Sequence, residues 1–567
     1  MKSVLTASLV LAAVVVATLP AHAEDYFLTI GGGYSPMGNQ ISLEKNVHLF
    51  RKLLSEQYPQ GAPHDVYFSD GDSPARDLVF ETPMEDAPRA NLLLARIFQQ
   101  SRYFNQHYRS HEIENVQGGS NRKNIQKWFE TTGSKLKAGD RLVLYVTAHG
   151  GRSGDKKNPM NTTLYLWNSE RIQVKELADW MDNVDPKVPI VTVMVQCYSG
   201  GFSNILFNHG ANKDGVSAAN RCGFFATVHD RVAAGCTPDI DEENYREYST
   251  YFWEAIRGTT RTGKPIEKPD YDEDGTISFE EAHAYALLTS PTIDISIKTS
   301  GTFLREYSKT SWKVDKKSKD KKPAAKPVPA KSDTAKSETE KPKTEKPKAE
   351  ADAAPPAEST EPDQVQQRPE LLTSDSPFEQ LATAAPLVDR VVLEGLSEQL
   401  ELADEKRASA ARKLATKIDG EKKKLDRDKR KKTGELKQVA TAIAKAVRNQ
   451  WPELSNRWNP GVNGILSEHS DELTKFIEAH AKFGSFQKLR KEVGALDEKK
   501  FELDRRWVKT QRLLRVLEST ALAANLPHVA SPELVQRYEQ LRAVEAGTLG
   551  SAARSPQTVT AADSAGE

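Results

Sequence analysis

Two side chains that can act together in acyl transfer follow two apolar runs of the sequence. His149 comes shortly after the run 141–147, and Cys197 comes shortly after the run 190–195, so that 48 positions separate the two residues. Each run is apolar at consecutive positions, which is typical of strands buried on both faces of a parallel sheet. Because ligands of open parallel sheets bind at the carboxyl ends of the strands, we expect the imidazole and the thiol to share one crevice. A thiol beside an imidazole can attack a carbonyl carbon.

Glycines follow both residues, and the loop after Cys197 is predicted to open a helix. Gly150 and Gly151 follow the histidine, and Gly200 and Gly201 follow shortly after the cysteine. Glycines permit tight turns, and they also let backbone N–H groups approach a developing oxyanion. The positive end of a helix would lower the pKa of the thiol. The alternative for any histidine and cysteine is a core imidazole and an inert buried thiol.

The segments around these residues predict an α/β domain. Short apolar runs alternate with amphipathic stretches over residues 24–290, which indicates a mostly parallel sheet flanked by helices. The predicted strands are 26–30, 66–69, 141–147, 189–196 and 223–228, and the predicted helices are 42–54, 121–136, 174–184 and 245–257. We expect the strands 141–147 and 189–196 to lie at the centre of the sheet.

This arrangement resembles the caspase and legumain group of cysteine peptidases, in which one apolar strand ends in His-Gly and a second ends in Cys. The separation of His149 from Cys197 is close to the roughly 50 residues of caspases, and the Cys-x-Ser-Gly pattern at 197–200 is closer to the legumain branch. The resemblance covers about residues 24–260. It implies a caspase-like fold for a domain of residues 24–310, and an endopeptidase that forms an acyl-enzyme. Cys197 would be the nucleophile, His149 the base, and the N–H groups of Gly150 and Cys197 the oxyanion hole.

Substrate preference is not fixed by this resemblance. The relatives carry Gln or Glu two positions before the nucleophile, where this chain has Val195. Asp230, just after the predicted strand 223–228, could line a pocket for a basic or amide side chain, or it could be an exposed loop residue. The preferred cleavage position therefore stays open.

Residues 270–281 match the twelve-residue EF-hand loop, with Gly275 at the sharp turn. The predicted calcium ligands are Asp270, Asp272, Asp274, Thr276 through its carbonyl, Ser278 and Glu281. Pro265 and Pro269 make the entering side irregular, whereas 279–288 is predicted to form the exit helix. We expect a solitary calcium loop that stabilises the domain.

The N-terminus and the composition favour an exported protein. Residues 1–23 combine an early lysine, an apolar core and Ala-x-Ala, which predicts a signal peptide cleaved after Ala23 and a secreted or periplasmic location. No later segment reaches the ~20 apolar residues of a membrane-spanning helix. With 79 basic and 79 acidic residues, the composition gives no overall attraction to nucleic acid. Export exposes thiols to oxidation, and Cys222 and Cys236 could form a disulfide that leaves Cys197 free.

The C-terminal half predicts a tether and a helical region. Residues 311–386 are rich in Lys, Pro, Ala and Glu and are expected to form a disordered linker. Residues 387–546 are expected to form a charged helical hairpin or bundle, and residues 547–567 a disordered tail. Legumains are often held inactive by a helical C-terminal region, so the resemblance suggests that this region docks on the peptidase domain and that a chain ending near residue 310 is more active.

Two functions remain open from the sequence. The first is an exported, calcium-stabilised cysteine endopeptidase acting on a protein or peptide substrate. The second is a non-catalytic calcium-binding surface or scaffold module that acts through its helical C-terminal region.

Overall fold

The computed structural model describes residues 24–99, 105–308, 370–456 and 458–550. The predicted signal peptide 1–23 lies outside the described residues. So do positions 311–369 of the predicted linker and positions 551–567 of the predicted tail.

A mixed sheet forms the centre of the N-terminal region. The strands of the described residues are β1 Asp25–Gly32, β2 His64–Phe68, β3 Leu78–Glu81, β4 Gln106–Arg109, β5 Arg141–Gly151, β6 Thr163–Tyr165, β7 Arg171–Gln173, β8 Ile190–Met194, β9 Arg221–Phe225 and β10 Ile297–Lys298. The main path of the sheet has the order β2-β1-β5-β8-β9-β10. Along this path β10 runs antiparallel to β9, and the other neighbouring pairs are parallel. β6 and β7 extend β5 in antiparallel fashion, and β3 pairs with β4 in a separate ribbon.

Helices cover both faces of the sheet. The helices of this region are α1 Ile41–Gln57, α2 Arg89–Ile97, α3 Arg122–Thr131, α4 Val174–Met181, α5 Tyr248–Arg257, α6 Phe279–Thr289 and α7 Thr299–Tyr307. Successive side chains of a strand point to opposite faces, so in β5 Val143 and Tyr145 belong to the core shared with α1 and α5. Leu142 and Leu144 belong to the core shared with α3 and α4. The result is a three-layer α/β/α arrangement.

The predicted α/β class with a mostly parallel sheet flanked by helices is confirmed. The runs predicted to be central form β5 and β8, which lie in the interior of the sheet. β5 extends beyond the predicted end at residue 147, because residues 149–151 pair with β6. The ribbon of β3 and β4 and the helix α2 were not predicted, since their segments are short and lack a clear apolar period.

The C-terminal region is helical. Its helices are α8 Phe378–Ala384, α9 Leu387–Gln399, α10 Arg407–Gln450, α11 Gly461–Glu468, α12 Ser470–Ala479, α13 Phe483–Val529 and α14 Pro532–Glu545. α10 and α13 pack as an antiparallel pair. The charge run in α10 makes ion pairs with α13, of which Lys422 with Asp504 at 2.6 Å and Lys432 with Glu492 at 2.8 Å are two. Among the described residues, no helix is both long enough and apolar enough to cross a bilayer.

The helical region shares a core with the α/β domain. Leu526 of α13 and Leu541 of α14 are buried in the same apolar cluster as Phe224 of β9. Arg512 of α13 is 1% exposed, and its guanidinium donates to the carbonyl oxygens of Leu287, Ser290 and Asp294 at 2.8 to 3.0 Å. The described parts of both regions therefore belong to one compact unit.

Two predicted boundaries are corrected. Within the predicted linker, α8 is folded and its Leu381 is fully buried, because this segment is more apolar than the Lys/Pro-rich part before it. The side chain of Asn525 also pairs with both backbone groups of Leu372. Within the predicted tail, the carbonyl of Gly547 accepts from the N–H of Phe279 at 3.0 Å, and the N–H of Gly550 donates to the Tyr58 hydroxyl at 2.7 Å.

Candidate active site and candidate calcium loop

The two predicted catalytic residues lie in the same register beyond the paired parts of neighbouring parallel strands, with His149 in the extension of β5 and Cys197 after the end of β8. The last paired positions of β5 and β8 are Val146 and Met194. His149 and Cys197 each lie three residues beyond that pair, on strands about 4.8 Å apart. A Cβ added at Gly150 would lie 2.0 Å from the carbonyl oxygen of Cys197. The backbone after the histidine therefore contacts the backbone of the cysteine, and only glycine fits at position 150.

His149 is oriented through one ring nitrogen. Its Nε2 lies 2.7 Å from the carbonyl oxygen of Gly38 and 2.9 Å from Oε1 of Gln40. Since both partners are acceptors, Nε2 carries the proton and Nδ1 keeps the lone pair. The ring also packs edge-on against Tyr34 with 5.2 Å between centroids. Burial lowers the pKa of His149, although the Gly38 carbonyl acts in the opposite direction. The resting imidazole is therefore neutral, with Nδ1 as the basic atom.

Cys197 is partly buried, and its sulfur accepts from the backbone N–H of Ala233 at 3.4 Å. Burial raises the pKa of the Cys197 thiol; the Ala233 contact lowers it and the Asp294 carboxylate raises it further. The segment after the cysteine is the 3₁₀ helix Ser199–Leu206, not an α-helix. The resting thiol is protonated and needs a base.

The backbone around the cysteine keeps one donor free. Among the described residues, no other residue accepts a hydrogen bond from the backbone N–H of Cys197. Gly200 packs close behind this turn, since an added Cβ there would lie 2.6 Å from the carbonyl oxygen of Thr227. Gly150 and Gly200 thus serve close backbone approach. The amide of Cys197 remains available to a ligand at the predicted oxyanion position.

The proposed disulfide between Cys222 and Cys236 is wrong, because all three cysteines are free thiols. Cys222 lies on β9 in the large core cluster. Cys236 packs in a separate cluster with Leu43 and Val47 of α1. Burial raises the pKa of both thiols well above the usual value. Sequence spacing alone did not reveal that the two side chains enter different cores.

Of the two residues considered for substrate specificity, Val195 is buried and Asp230 is exposed. Val195 is 5% exposed and belongs to the core, so its side chain is not available to a substrate. Asp230 is exposed, and its carbonyl accepts from Arg152 at 3.4 Å. Asp230 is thus an exposed loop residue whose carboxylate is open to solvent.

The EF-hand-like segment folds as a turn followed by α6. The carboxylates of Asp270, Asp272 and Asp274 offer oxygens that all lie within 4.8 Å of one another. Gly275 has φ +86°, as the sharp turn requires. Residues 258–269, which directly precede the loop, form no α-helix. Three carboxylates in this arrangement suit a hard cation such as calcium.

The remaining predicted ligands are distributed less simply. Oε2 of Glu281 accepts from the backbone N–H of Ser278 at 2.9 Å, and Oε1 accepts from the N–H of Tyr271 at 2.7 Å. The hydroxyl of Ser278 accepts from the N–H of Glu281 at 3.1 Å and caps α6. The Thr276 hydroxyl donates to Asp274 at 2.7 Å, which leaves the Thr276 carbonyl as its ligand group. The structure therefore gathers the three aspartates, whereas Glu281 closes the loop by hydrogen bonds.

Several functional contacts have no signal in the sequence. Gly38 orients His149 through a backbone carbonyl, and Ala233 contacts the sulfur through a backbone N–H. Such groups are common to every residue type, so no residue pattern identifies them. Asp70, Asp77 and His111, which cluster elsewhere in the domain, were also missed because their loops are far apart in the sequence.

Comparison with known proteins gives little guidance. No protein-family model matches the chain, and no curated protein matches it. One solved structure that is similar to part of the chain is protein GSU0716 from Geobacter sulfurreducens. It has 11% sequence identity and a TM-score of 0.26, and the match covers 46% of this chain and 88% of that one.

Proposed function

We propose that this protein is an exported cysteine endopeptidase in which Cys197 and His149 form the catalytic dyad. The observation that carries the proposal is the equal register of the two residues beyond the β5 and β8 pair, together with the hydrogen bond that holds the His149 proton on Nε2. In this tautomer Nδ1 carries no proton, so it can accept one. The resemblance to the caspase and legumain group supports the same assignment.

The reaction follows from these groups. Nδ1 of His149 takes the thiol proton as Cys197 Sγ bonds to the scissile carbonyl carbon, and the oxyanion is stabilised by the N–H groups of Cys197 and Gly150. The C–N bond then breaks, and the imidazolium gives its proton to the leaving amine. Water, deprotonated by His149, hydrolyses the thioester and restores the thiol. The Gly38 carbonyl stabilises the imidazolium through the proton on Nε2.

Alkylation of the full chain tests the dyad. We expect iodoacetamide to label Cys197 faster than the buried Cys222, and His149→Gln to slow this labelling at least tenfold. The matched control is His209→Gln, since His209 is an exposed histidine of the same domain that bonds to Asp179. A peptide library should be cleaved by the parent chain and not by Cys197→Ala. Labelling that is equal in both histidine variants, with no cleavage, would refute the peptidase and favour the calcium-binding scaffold module.

We also propose that the loop 270–281 binds calcium and stabilises the fold. Three clustered carboxylates repel one another without a cation, and an ion bound only by the folded state adds about 2.7 kcal/mol at a hundredfold excess over its Kd. Millimolar calcium should therefore raise the melting temperature by a few degrees over chelator, and Asp270→Asn, at the first position of the loop, should remove the increase. An equal shift in Asp270→Asn would show that the ion binds elsewhere.

A further inference from the structure

A second group of metal-ligating side chains lies where two loops meet, outside the EF-hand-like segment. Asp70 and Asp77 lie at the two ends of the loop between β2 and β3, and His111 follows β4. One ligand atom from each residue lies within 4.8 Å of the other two. Two oxygens from one loop thus converge with an imidazole nitrogen from a more distant segment.

The polar atoms of this cluster lack the partners that buried groups require. The His111 side chain is 5% exposed, yet neither of its ring nitrogens has a hydrogen-bond partner among the described residues. Oδ1 of Asp70 is likewise buried without a partner. Nδ1 of His111 lies 3.5 Å from Oδ2 of Asp77 without hydrogen-bond geometry. Leaving a buried polar group unpaired costs about 1–3 kcal/mol, so these orphaned atoms point to a bound group.

The surroundings of Asp77 resemble the support that metal ligands receive. Its Oδ1 accepts from the backbone N–H of His111 at 2.8 Å, and its Oδ2 accepts from the side chain of Asn39 at 3.3 Å. Hydrogen bonds of this kind hold a ligating carboxylate in place while leaving lone pairs for the ion.

We propose that Asp70, Asp77 and His111 form a binding site for a divalent transition-metal ion of the Zn²⁺ type. Imidazole favours zinc and its neighbours, whereas calcium prefers six or more oxygens, so this site differs in chemistry from the loop 270–281. Zinc bonds of about 2.0–2.2 Å at tetrahedral angles place ligand atoms about 3.4 Å apart. Side-chain shifts of about 1 Å therefore complete the site. The ion links the loop between β2 and β3 to the loop after β4.

Zinc titration of the full chain tests the site, with Cys197→Ala as the parent so that the dyad thiol does not bind the metal. The tag-free protein is stripped with chelator and titrated with ZnCl₂ by calorimetry. We expect one tight equivalent, weakened at least tenfold by His111→Gln and by Asp70→Asn. The matched control is Asp72→Asn, an exposed aspartate of the same loop, which should bind zinc as the parent does. Asp270→Asn should also keep zinc while weakening calcium.

A spectroscopic readout separates ligation from a general loss of structure. Co²⁺ bound at the site should give visible d–d absorption that His111→Gln abolishes and Asp72→Asn preserves. Circular dichroism checks the fold of each variant, and Asp70→Asn, which keeps the size of the side chain, decides the case if His111→Gln does not fold. Absence of zinc binding in the parent, or equal binding in the Asp70 and Asp72 variants, would overturn the proposal and leave a buried His111–Asp77 ion pair.

Discussion

Replacing Arg512 with methionine should destabilise the protein and disturb the loop that contacts Cys197. The guanidinium caps the carboxyl end of α6 and the segment after it, with acceptors at Leu287, Ser290 and Asp294. Methionine keeps the apolar stem but leaves three carbonyls without a donor. Each loss costs about 1–3 kcal/mol if the acceptor stays dry. Burial lowers the pKa of Arg512 to about 10, so removing the charge returns part of that cost.

The net effect of Arg512→Met should be about 3–5 kcal/mol, which is typical of breaking a buried charged network by removing one partner. This is a large share of an ordinary stability of about 5–15 kcal/mol. Denaturant unfolding followed by circular dichroism measures it. Arg515→Met is the matched control one helical turn on, because Arg515 makes no hydrogen bond to the described residues and burial also lowers its pKa to about 10. That variant should be neutral or more stable.

A second measurement on Arg512→Met follows the reactivity of Cys197. The carboxylate of Asp294 accepts from the N–H of Ala234 at 2.7 Å, and the N–H of the preceding residue, Ala233, donates to the Cys197 sulfur. Loosening Asp294 should therefore change the iodoacetamide labelling rate of Cys197, which Arg515→Met should leave unchanged. If Arg512→Met unfolds at the same denaturant concentration as the parent and is labelled at the same rate, the hydrogen bonds of Arg512 neither stabilise the fold nor position the loop that contacts Cys197.

Three further outcomes follow from particular contacts. Burial raises the pKa of Glu247 to about 7. The folded state therefore keeps a proton on Glu247 that the unfolded chain loses near pH 4.3. The contribution of Glu247 to the free energy of unfolding should fall by about 3 kcal/mol as the pH rises from 4 to 7. Glu247→Gln should flatten that slope in unfolding measurements. Gly150→Ala forces a methyl group against the Cys197 carbonyl and should abolish peptide cleavage, whereas Gly154→Ala, which has nothing within 4 Å, should not. A chain ending at residue 310 should melt lower and cleave no faster than the full chain, contrary to the expectation from the resemblance.

The sequence predicts the sheet well because the signals for its strands are local. The run 142–146 of β5 is apolar throughout and β8 is apolar at four of its five positions, as burial on both faces of a central strand requires. The position of His149 and Cys197 beyond these apolar runs follows from the same pattern. The cores entered by Cys222 and Cys236 depend on long-range packing, so spacing along the chain gave the wrong disulfide.

The role of the helical region was harder to predict because its contacts with the α/β domain join segments that are distant in the sequence. A charged, 3–4-spaced pattern predicts a helix, but it does not distinguish Arg512, which is buried, from the many exposed basic residues of α10. What distinguishes Arg512 is a partner set of backbone carbonyls supplied by another region of the chain. Backbone carbonyls carry no residue identity, so only the folded structure shows the pairing.

The contacts between the helical region and the loop at Cys197 bear on how the activity of the proposed peptidase should be controlled. An inhibitory segment must leave without unfolding the enzyme, yet α13 supplies Leu526 to the central core and Arg512 to the end of α6. Removing it would expose apolar surface and orphan buried carbonyls, which costs stability before it frees any site. The contacts from Arg512 through Asp294 to Ala233 instead make the helical region a support for Cys197. Control of access to the dyad should therefore come from smaller movements around the Ala233 loop, with the helical region remaining docked.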